Sequence, residues 1–222
     1  MAELDAEYVA RMEDLLALYE KPYDPREPVV CLDETPVVLH AEVRPPRPAR
    51  PGHLAKRDTE YQRCGTANIF GVVEPKAGRH FTCATPDRSG RQLARVMRRL
   101  VWAYPRARTI HLVMDNLNTH CEKTLVDHLG RPVGRGLWRR LTVHPTPKHG
   151  SWLNQAEIEL SAFTRQCLGT RRIGELSPLR RETRAWNRRA NRWRIRIHWQ
   201  FTRRDARLKF GYQTNLSSRS RA

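Results

Sequence analysis

Hydrophobic and polar positions follow two different periods along this chain, and each change of period marks a new element. Within residues 1–20, Tyr8, Met12, Leu15, Leu16 and Tyr19 recur at helical spacing, and Pro22 and Pro25 end the helix they predict. Residues 29–32 (VVCL) form a short apolar run ending in Asp33, and residues 36–40 form a second run that reads as a continuation of the strand or a bulge. Asp33 is therefore expected at a strand end. The proline- and arginine-rich stretch at residues 45–51 (PPRPARP) excludes regular structure, so residues 44–63 read as an exposed, flexible loop whose basic side chains can touch phosphate. Residues 67–73 and 80–85 are β-rich runs on either side of Pro75-Lys76-Ala77-Gly78, a turn-forming cluster, which predicts a hairpin and a meander of three antiparallel strands.

From Ser89 the period changes again: Leu93, Val96, Met97, Leu100, Val101 and Tyr104 describe a helix with one buried face, stopped by Pro105. Residues 109–114 (TIHLVM) predict a buried strand running into Asp115, with Thr119 capping a helix that continues to Leu129. A glycine-rich connection leads to a short strand at residues 141–144, and Pro145-Thr146-Pro147 precedes a helix over residues 151–168. The order β-β-β-α-β-α-β-α is that of a ribonuclease H-like α/β fold, a mixed sheet of three antiparallel strands and then alternating elements, with helices on its faces. A chain of 222 residues can build such a core without covalent staples. Its expected division is a helical lead-in (1–28), the ribonuclease H-like domain (29–172) and a basic helical extension (173–222).

Composition narrows the class. The net charge is +18, and it is unevenly placed: residues 131–222 hold 22 Lys/Arg against 5 Asp/Glu, whereas residues 1–130 hold 19 against 18. A one-sided cationic field of this size attracts polyanions, because Arg and Lys that neutralise phosphates release condensed counterions. Genomic base bias can enrich arginine but does not explain the asymmetry, so a nucleic-acid partner is expected. The five cysteines are scattered and never spaced C-x-x-C, which suggests neither a disulfide framework nor a zinc ribbon. No apolar run approaches the ~20 residues that cross a bilayer, and the acidic start (Glu3, Asp5, Glu7) is unlike a signal peptide. A cytoplasmic protein without membrane contact is the expectation.

In the predicted topology the ends of the first and fourth strands are neighbours, so Asp33 and Asp115 can converge although they lie 82 positions apart. The last helix offers a third carboxylate, Glu157 or Glu159, one on each border of the apolar stripe formed by Leu153, Ala156, Leu160, Phe163 and Cys167. The stripe tilts slightly toward Glu157. Glu34 should point to the opposite face of its strand from Asp33. Phosphoryl transfer on DNA uses two divalent ions roughly 4 Å apart, and hard ions such as Mg²⁺ take carboxylate oxygens.

Residues 114–120 (MDNLNTH) and 145–159 (PTPKHGSWLNQAEIE) resemble the second and third catalytic motifs of DDE transposases of the mariner-related bacterial insertion-sequence family, and residues 32–34 (LDE) resemble the first. The likeness extends through residues 201–209 (FTRRDARLK) and covers roughly residues 29–212. By this resemblance Asp33, Asp115 and Glu157 form the catalytic triad that binds two Mg²⁺ or Mn²⁺ ions, and Glu159 only flanks it. The activity implied is cleavage at transposon ends by water, followed by attack of the freed 3′-OH on target DNA. The partners implied are double-stranded DNA of the ends and target, a second copy of the chain in a homodimer, and a separate end-recognition polypeptide, in the nucleoid of a bacterial cytoplasm. The chain departs from the family pattern twice. The second and third acids are 42 positions apart, longer than in mariner-type relatives, with residues 130–140 as the site of the extra length; and the 28 residues before the first strand hold no helix-turn-helix region. The second departure motivates an alternative, a truncated, non-catalytic DNA-binding remnant. A ribonuclease or structure-specific nuclease on the same fold is a third reading.

Several residues carry either a functional or a structural reading. Asn116, Asn118 and His120 can position metal-bound water or phosphate beside Asp115, or cap the next helix, and Asn154 lies within the third motif. Lys148, His149, Ser151 and Trp152 precede the catalytic helix, where a cation and backbone N–H groups can hold phosphate and the indole can stack on a base or anchor the fold. His111, His144 and His198 stand singly and are read as packing residues. In the C-terminal helix Trp186, Ala190, Trp193 and Ile197 form a narrow apolar stripe, and Arg188, Arg189, Arg192, Arg194 and Arg196 cover the rest; these arginines suit DNA backbone better than bases.

Overall fold

The computed structural model describes residues 5–117 and 120–212. Its sheet has the strand order β3 (Arg79–His80), β2 (Tyr61–Glu74), β1 (Val29–Glu42), β5 (Ile110–Met114), β6 (Leu141–Pro145), with β4 (Cys83–Thr85) also paired to β2. The first strand, β1 (Val29–Glu42), is one 14-residue strand rather than two short runs, so Asp33 lies within it and not at its end. The reason is that β1 has two partners of different extent. Along one edge it pairs parallel with β5 (Ile110–Met114) only over Val29, Val30 and Cys31. Along the other it stays antiparallel to β2 (Tyr61–Glu74) from Cys31 to Glu42, with a register shift between Val38 and His40. Local periodicity records apolar spacing, not which edge is paired, and so it ends the strand where the parallel pairing ends.

β2 also begins earlier than expected and absorbs residues 61–63 of the predicted loop. The remaining loop is exposed but partly ordered, with isolated bridges between Arg47 and Lys56 and between Arg50 and His53. Arg172 fastens its end through Glu42 and the carbonyls of Asp58, Thr59 and Glu60. The third expected strand is split into β3 (Arg79–His80) and β4 (Cys83–Thr85), and between them the Thr82 hydroxyl donates to Glu159.

Helices cover both faces. On one, α2 (Gly90–Trp102), α3 (Glu122–Leu129) and α4 (Arg131–Trp138) pack Leu93, Met97, Leu100, Leu125 and Leu137 onto Val30, Leu32, Phe70, Val72, Leu112 and Met114. α4 occupies the stretch expected to be a glycine-rich connection. Its Gly134 is no turn residue: a Cβ there would lie 2.6 Å from the Val126 backbone nitrogen, so the glycine lets two helix backbones touch. The residue capping α3 is Cys121; Thr119, expected in that role, lies outside the described residues.

On the other face α1 (Ala6–Glu20) and α5 (Ala156–Phe163) cover Cys31, Val73 and Val113. The expected helix over residues 151–168 is broken into a 3₁₀ turn (Ser151–Leu153), α5 and a π turn (Thr164–Leu168). The break falls at Asn154, whose side chain bonds elsewhere. β6 (Leu141–Pro145) runs parallel to β5 at the sheet edge. The long α6 (Leu176–Trp193) lays Leu179 and Trp186 against Phe163, Leu160 and Ile69. It ends at Trp193, which is 71% exposed, with Arg194 in the left-handed conformation. The expected stripe is thus corrected: Trp186 and Ala190 are buried, Trp193 is not, and Ile197 lies beyond the helix. Finally α7 (Arg203–Phe210) docks on α1, where Arg207 pairs with Glu13 through two 2.8 Å hydrogen bonds. None of the five cysteines is in a disulfide with a described residue.

Candidate active site

Side chains on β1 alternate between the two helical layers, with Val30 and Leu32 toward α2 and Cys31 toward α1 and α5. Asp33 therefore follows Cys31 to the α5 side, just past the point where β5 stops pairing. Asp115 follows Met114 at the end of β5. Their proximity is visible in the charge state of Asp33: burial pushes its carboxyl up to about 6, opposed by a 2.8 Å hydrogen bond from the Glu34 backbone and reinforced by the charges of Asp115, Glu34 and Glu157. Three of those four acids are the ones read from the sequence. Glu157 is exposed on the first turn of α5, whereas Glu159 is 2% exposed and accepts hydrogen bonds from His80 and Thr82. The two borders of the α5 stripe thus have opposite environments, one open and one sealed.

Backbone proximity makes this arrangement possible. Gly71 of β2 lies directly opposite Asp33 in register, and a Cβ there would meet the Leu160 side chain at 2.7 Å. The absent side chain lets α5 lie directly on the sheet beside Asp33. Asn154 sets the start of α5: its Nδ2 donates to the Leu32 carbonyl at 2.8 Å, and its Oδ1 accepts from the Ala156 amide. Asn154 is buried and ties α5 to β1 one residue before Asp33.

A cavity of about 800 Å³ opens beside Asp115, lined also by Asn116, Leu117, Lys148, His149 and Ser151, with Asp5, Glu7 and Arg11 of the α1 region across from them. Lys148 and His149 are exposed there, His149 with φ 61°. Trp152 faces elsewhere: it stacks on Trp199, meets Phe201 and Phe210 edge-on or tilted, and donates to the Tyr8 hydroxyl at 3.2 Å. Its environment is that of an anchor for the C-terminal segment. Arg188, Arg189 and Arg192 lie on the exposed face of α6 and do not line this cavity. Asn118 lies outside the described residues.

Two partnerships were not legible in the sequence. His120, buried, lies 2.5 Å through Nδ1 from Asp115 Oδ1 and 3.6 Å through Nε2 from Glu34 Oε2. Burial opposes its charge, but the hydrogen bond and charge of Asp115 and the charge of Glu34 outweigh that and hold the imidazole above its ordinary value. Glu34 points away from Asp33, as the alternation requires, yet burial and Asp115 push its carboxyl upward against the pull of His120. Neither His111 nor His144 stands singly: His111 Nδ1 is 2.9 Å from His144 Nε2, whose ring continues to Asp14 at 2.6 Å. Pairing across the parallel strands β5 and β6 brings them together, which no local spacing reveals. Among the described residues no group of three or more His, Cys, Asp or Glu is gathered closely enough to hold a metal ion.

Residues 28–180 match the family described as DDE superfamily endonuclease. Among solved structures, the Mos1 mariner paired-end complex with Mn is similar over 86% of this chain and 60% of that one, with 16% identity and a TM-score of 0.54. The Mos1 transposase paired-end complex with left transposon end gives 87%, 60%, 16% and 0.53, and a pre-cleavage Mos1 transpososome 89%, 65%, 15% and 0.51. This chain thus spans less than two thirds of the length of those chains. At such identities the likeness is one of fold, the ribonuclease H-like mixed sheet flanked by helices. No curated protein is a detectable relative of this chain. With well over half of its length matching the family, the chain belongs to the DDE superfamily endonucleases.

Proposed function

We propose that this chain is the catalytic domain of a DNA transposase of the mariner-related insertion-sequence type, cutting strands at element ends and joining them to target DNA. The observation that carries the reading is the effect of the Asp115 and Glu157 charges on the buried Asp33, three carboxylates from three separate parts of the chain, within a DDE family member. In this reading residues 29–172 are the catalytic unit, 1–28 the lead-in and 173–222 a basic extension.

Asp33, Asp115 and Glu157 are the residues that would hold two Mg²⁺ or Mn²⁺ ions. The donor chemistry fits: all three supply hard oxygens, and a buried Asp33 pressed by neighbouring negative charges gains most from a cation. When bound, such ions activate the attacking oxygen and stabilise the leaving one. The protein's own groups prepare the site. His120 holds the Asp115 carboxylate, Asn154 fixes α5 against β1, and Lys148 and His149, with Asn116, offer donors to a phosphate in the cavity beside Asp115. Double-stranded DNA of the element ends and target is the substrate, and the net charge of +18 suits it. A homodimer, a separate end-recognition polypeptide and a place at the bacterial nucleoid belong to the same proposal. Among the described residues no helix is long and apolar enough to cross a membrane.

One observation favours a second reading, a DNA-binding remnant without catalysis: Asp115 is already engaged by His120. The test is strand cleavage and strand transfer on labelled DNA ending in the element's inverted repeats, in Mg²⁺ and in Mn²⁺, with Asp115→Ala as control. Metal-dependent product that the variant lacks is the expected result. Salt-sensitive binding by both proteins with no product from either would replace the enzyme reading with the remnant.

A further inference from the structure

A second cleft, of about 730 Å³, opens between α2, the β3–β4 segment and α6, and shares no residue with the cavity beside Asp115. Arg95 and Arg99 enter it from α2, Arg180 and Arg184 from α6, and no Asp or Glu lines it. Each pair is spaced i, i+4 and so projects from one face of its helix, about 6 Å apart along the axis. The result is two facing rows of guanidinium groups, all on exposed residues.

Several arginines elsewhere in the molecule are neutralised: Arg57 and Arg172 by Glu42, Arg171 by Glu182, Arg203 by Glu20, Arg207 by Glu13. In the cleft, Arg180 donates to the Ala84 carbonyl and Arg95 reaches Gln92 at 3.5 Å, but the guanidinium groups of Arg99 and Arg184 have no hydrogen bond or ion pair with any described residue. Four converging cations without a counter-charge repel one another, and an anion between them removes that cost. A guanidinium fork matches phosphate oxygens, and the i, i+4 step is on the order of the distance between successive phosphates of one strand. The cleft wall includes His80 and Thr82, which hold Glu159 on α5, so an occupant would lie close behind the helix that carries Glu157.

We propose that this cleft is a second DNA site, taking the phosphodiester backbone of a strand segment other than the one at the acidic cluster. Its contacts are guanidinium to phosphate, and therefore independent of sequence. The proposal rests on DNA being the substrate, but it does not require that the chain cut DNA. The test is fluorescence-anisotropy binding of a labelled duplex of arbitrary sequence in EDTA between about 50 and 200 mM salt, comparing the wild type, Arg99→Gln/Arg184→Gln and Arg99→Lys/Arg184→Lys. Unfolding temperatures of all three confirm folding. The slope of log K against log salt should become shallower by about 2 in the Gln pair, roughly 0.9 for each phosphate no longer neutralised, and recover in the Lys pair. If the wild type fails to cleave DNA but the Gln pair still loses slope, this site stands and the enzyme reading falls. An unchanged slope in a folded Gln pair overturns the site. So does a Gln pair that loses only stabilisation by inorganic phosphate, or only binding of a polyglutamate peptide, with its DNA slope intact.

Discussion

Asp33 links the charge of the acidic cluster to stability. Its carboxyl is pushed up to about 6, first by burial and then by Asp115, Glu34 and Glu157, from an ordinary value of 3.8. A carboxyl raised in the folded state stabilises the fold at low pH, and that contribution is lost as pH rises through the folded value. Asp33→Asn should therefore unfold at a higher temperature than the wild type above about pH 6 in EDTA, by on the order of 2 kcal/mol, with the two converging near pH 4. Thermal unfolding across that window checks it; a variant less stable at about pH 8 would mean that the strain is not there. His120 acts in the opposite sense, as the cation between two acids. His120→Ala leaves Glu34 and Asp115 without it and should cost about 3 kcal/mol, measurable by urea unfolding near neutral pH.

At the scale of elements, α5 separates two glutamates that helical periodicity alone nearly equates. Glu157→Ala, on an exposed turn, should change stability by no more than about 0.5 kcal/mol while removing metal-dependent cleavage. Glu159→Ala should cost about 3 kcal/mol, because it strands the buried His80 and Thr82 that it now satisfies. Unfolding and cleavage assays on both variants would reverse this assignment if Glu157→Ala were the unstable one. Gly71→Ala tests how α5 is seated. The added methyl meets Leu160, so a loss of about 1–3 kcal/mol is expected, together with weaker cleavage as Glu157 is carried away from Asp33. Combining it with Leu160→Ala should restore part of the cleavage, a recovery that a general loss of folding would not give.

For the whole molecule, charge is the controlling quantity. Most of the +18 lies beyond residue 130, on α6, α7 and the chain around them. DNA affinity should fall steeply and linearly with log salt, and should persist in EDTA and in Asp115→Ala, since binding of phosphate needs no metal. Binding that required Mg²⁺ would show instead that the acidic cluster, not the basic surface, carries the affinity. The same cations also hold the molecule together: Arg203 and Arg207 of α7 pair with Glu20 and Glu13 of α1, joining the two ends of the described chain.

Much of the fold is legible in the residue pattern alone, for a definite reason. The periods of Leu93 to Tyr104 and of Tyr8 to Tyr19 report burial directly, because a helix with one covered face must repeat apolar residues every three or four positions. The mixed sheet flanked by helices follows from that pattern, and the one-sided charge from simple counting. Wherever a residue's role depends on a partner distant in the chain, the pattern is silent. β1 continues through Asp33 because β2 pairs with it after β5 has stopped, and the helix after Pro147 breaks because Asn154 bonds back to Leu32. Gly134 joins two helices where the pattern suggests a connection, and Glu34, placed by alternation only on the far face from Asp33, is half of a buried pair with His120. Hydrophobic spacing encodes which face of an element is covered. Only the assembled tertiary structure decides what covers it, and so which acid of α5 is left exposed and which is consumed in holding the fold.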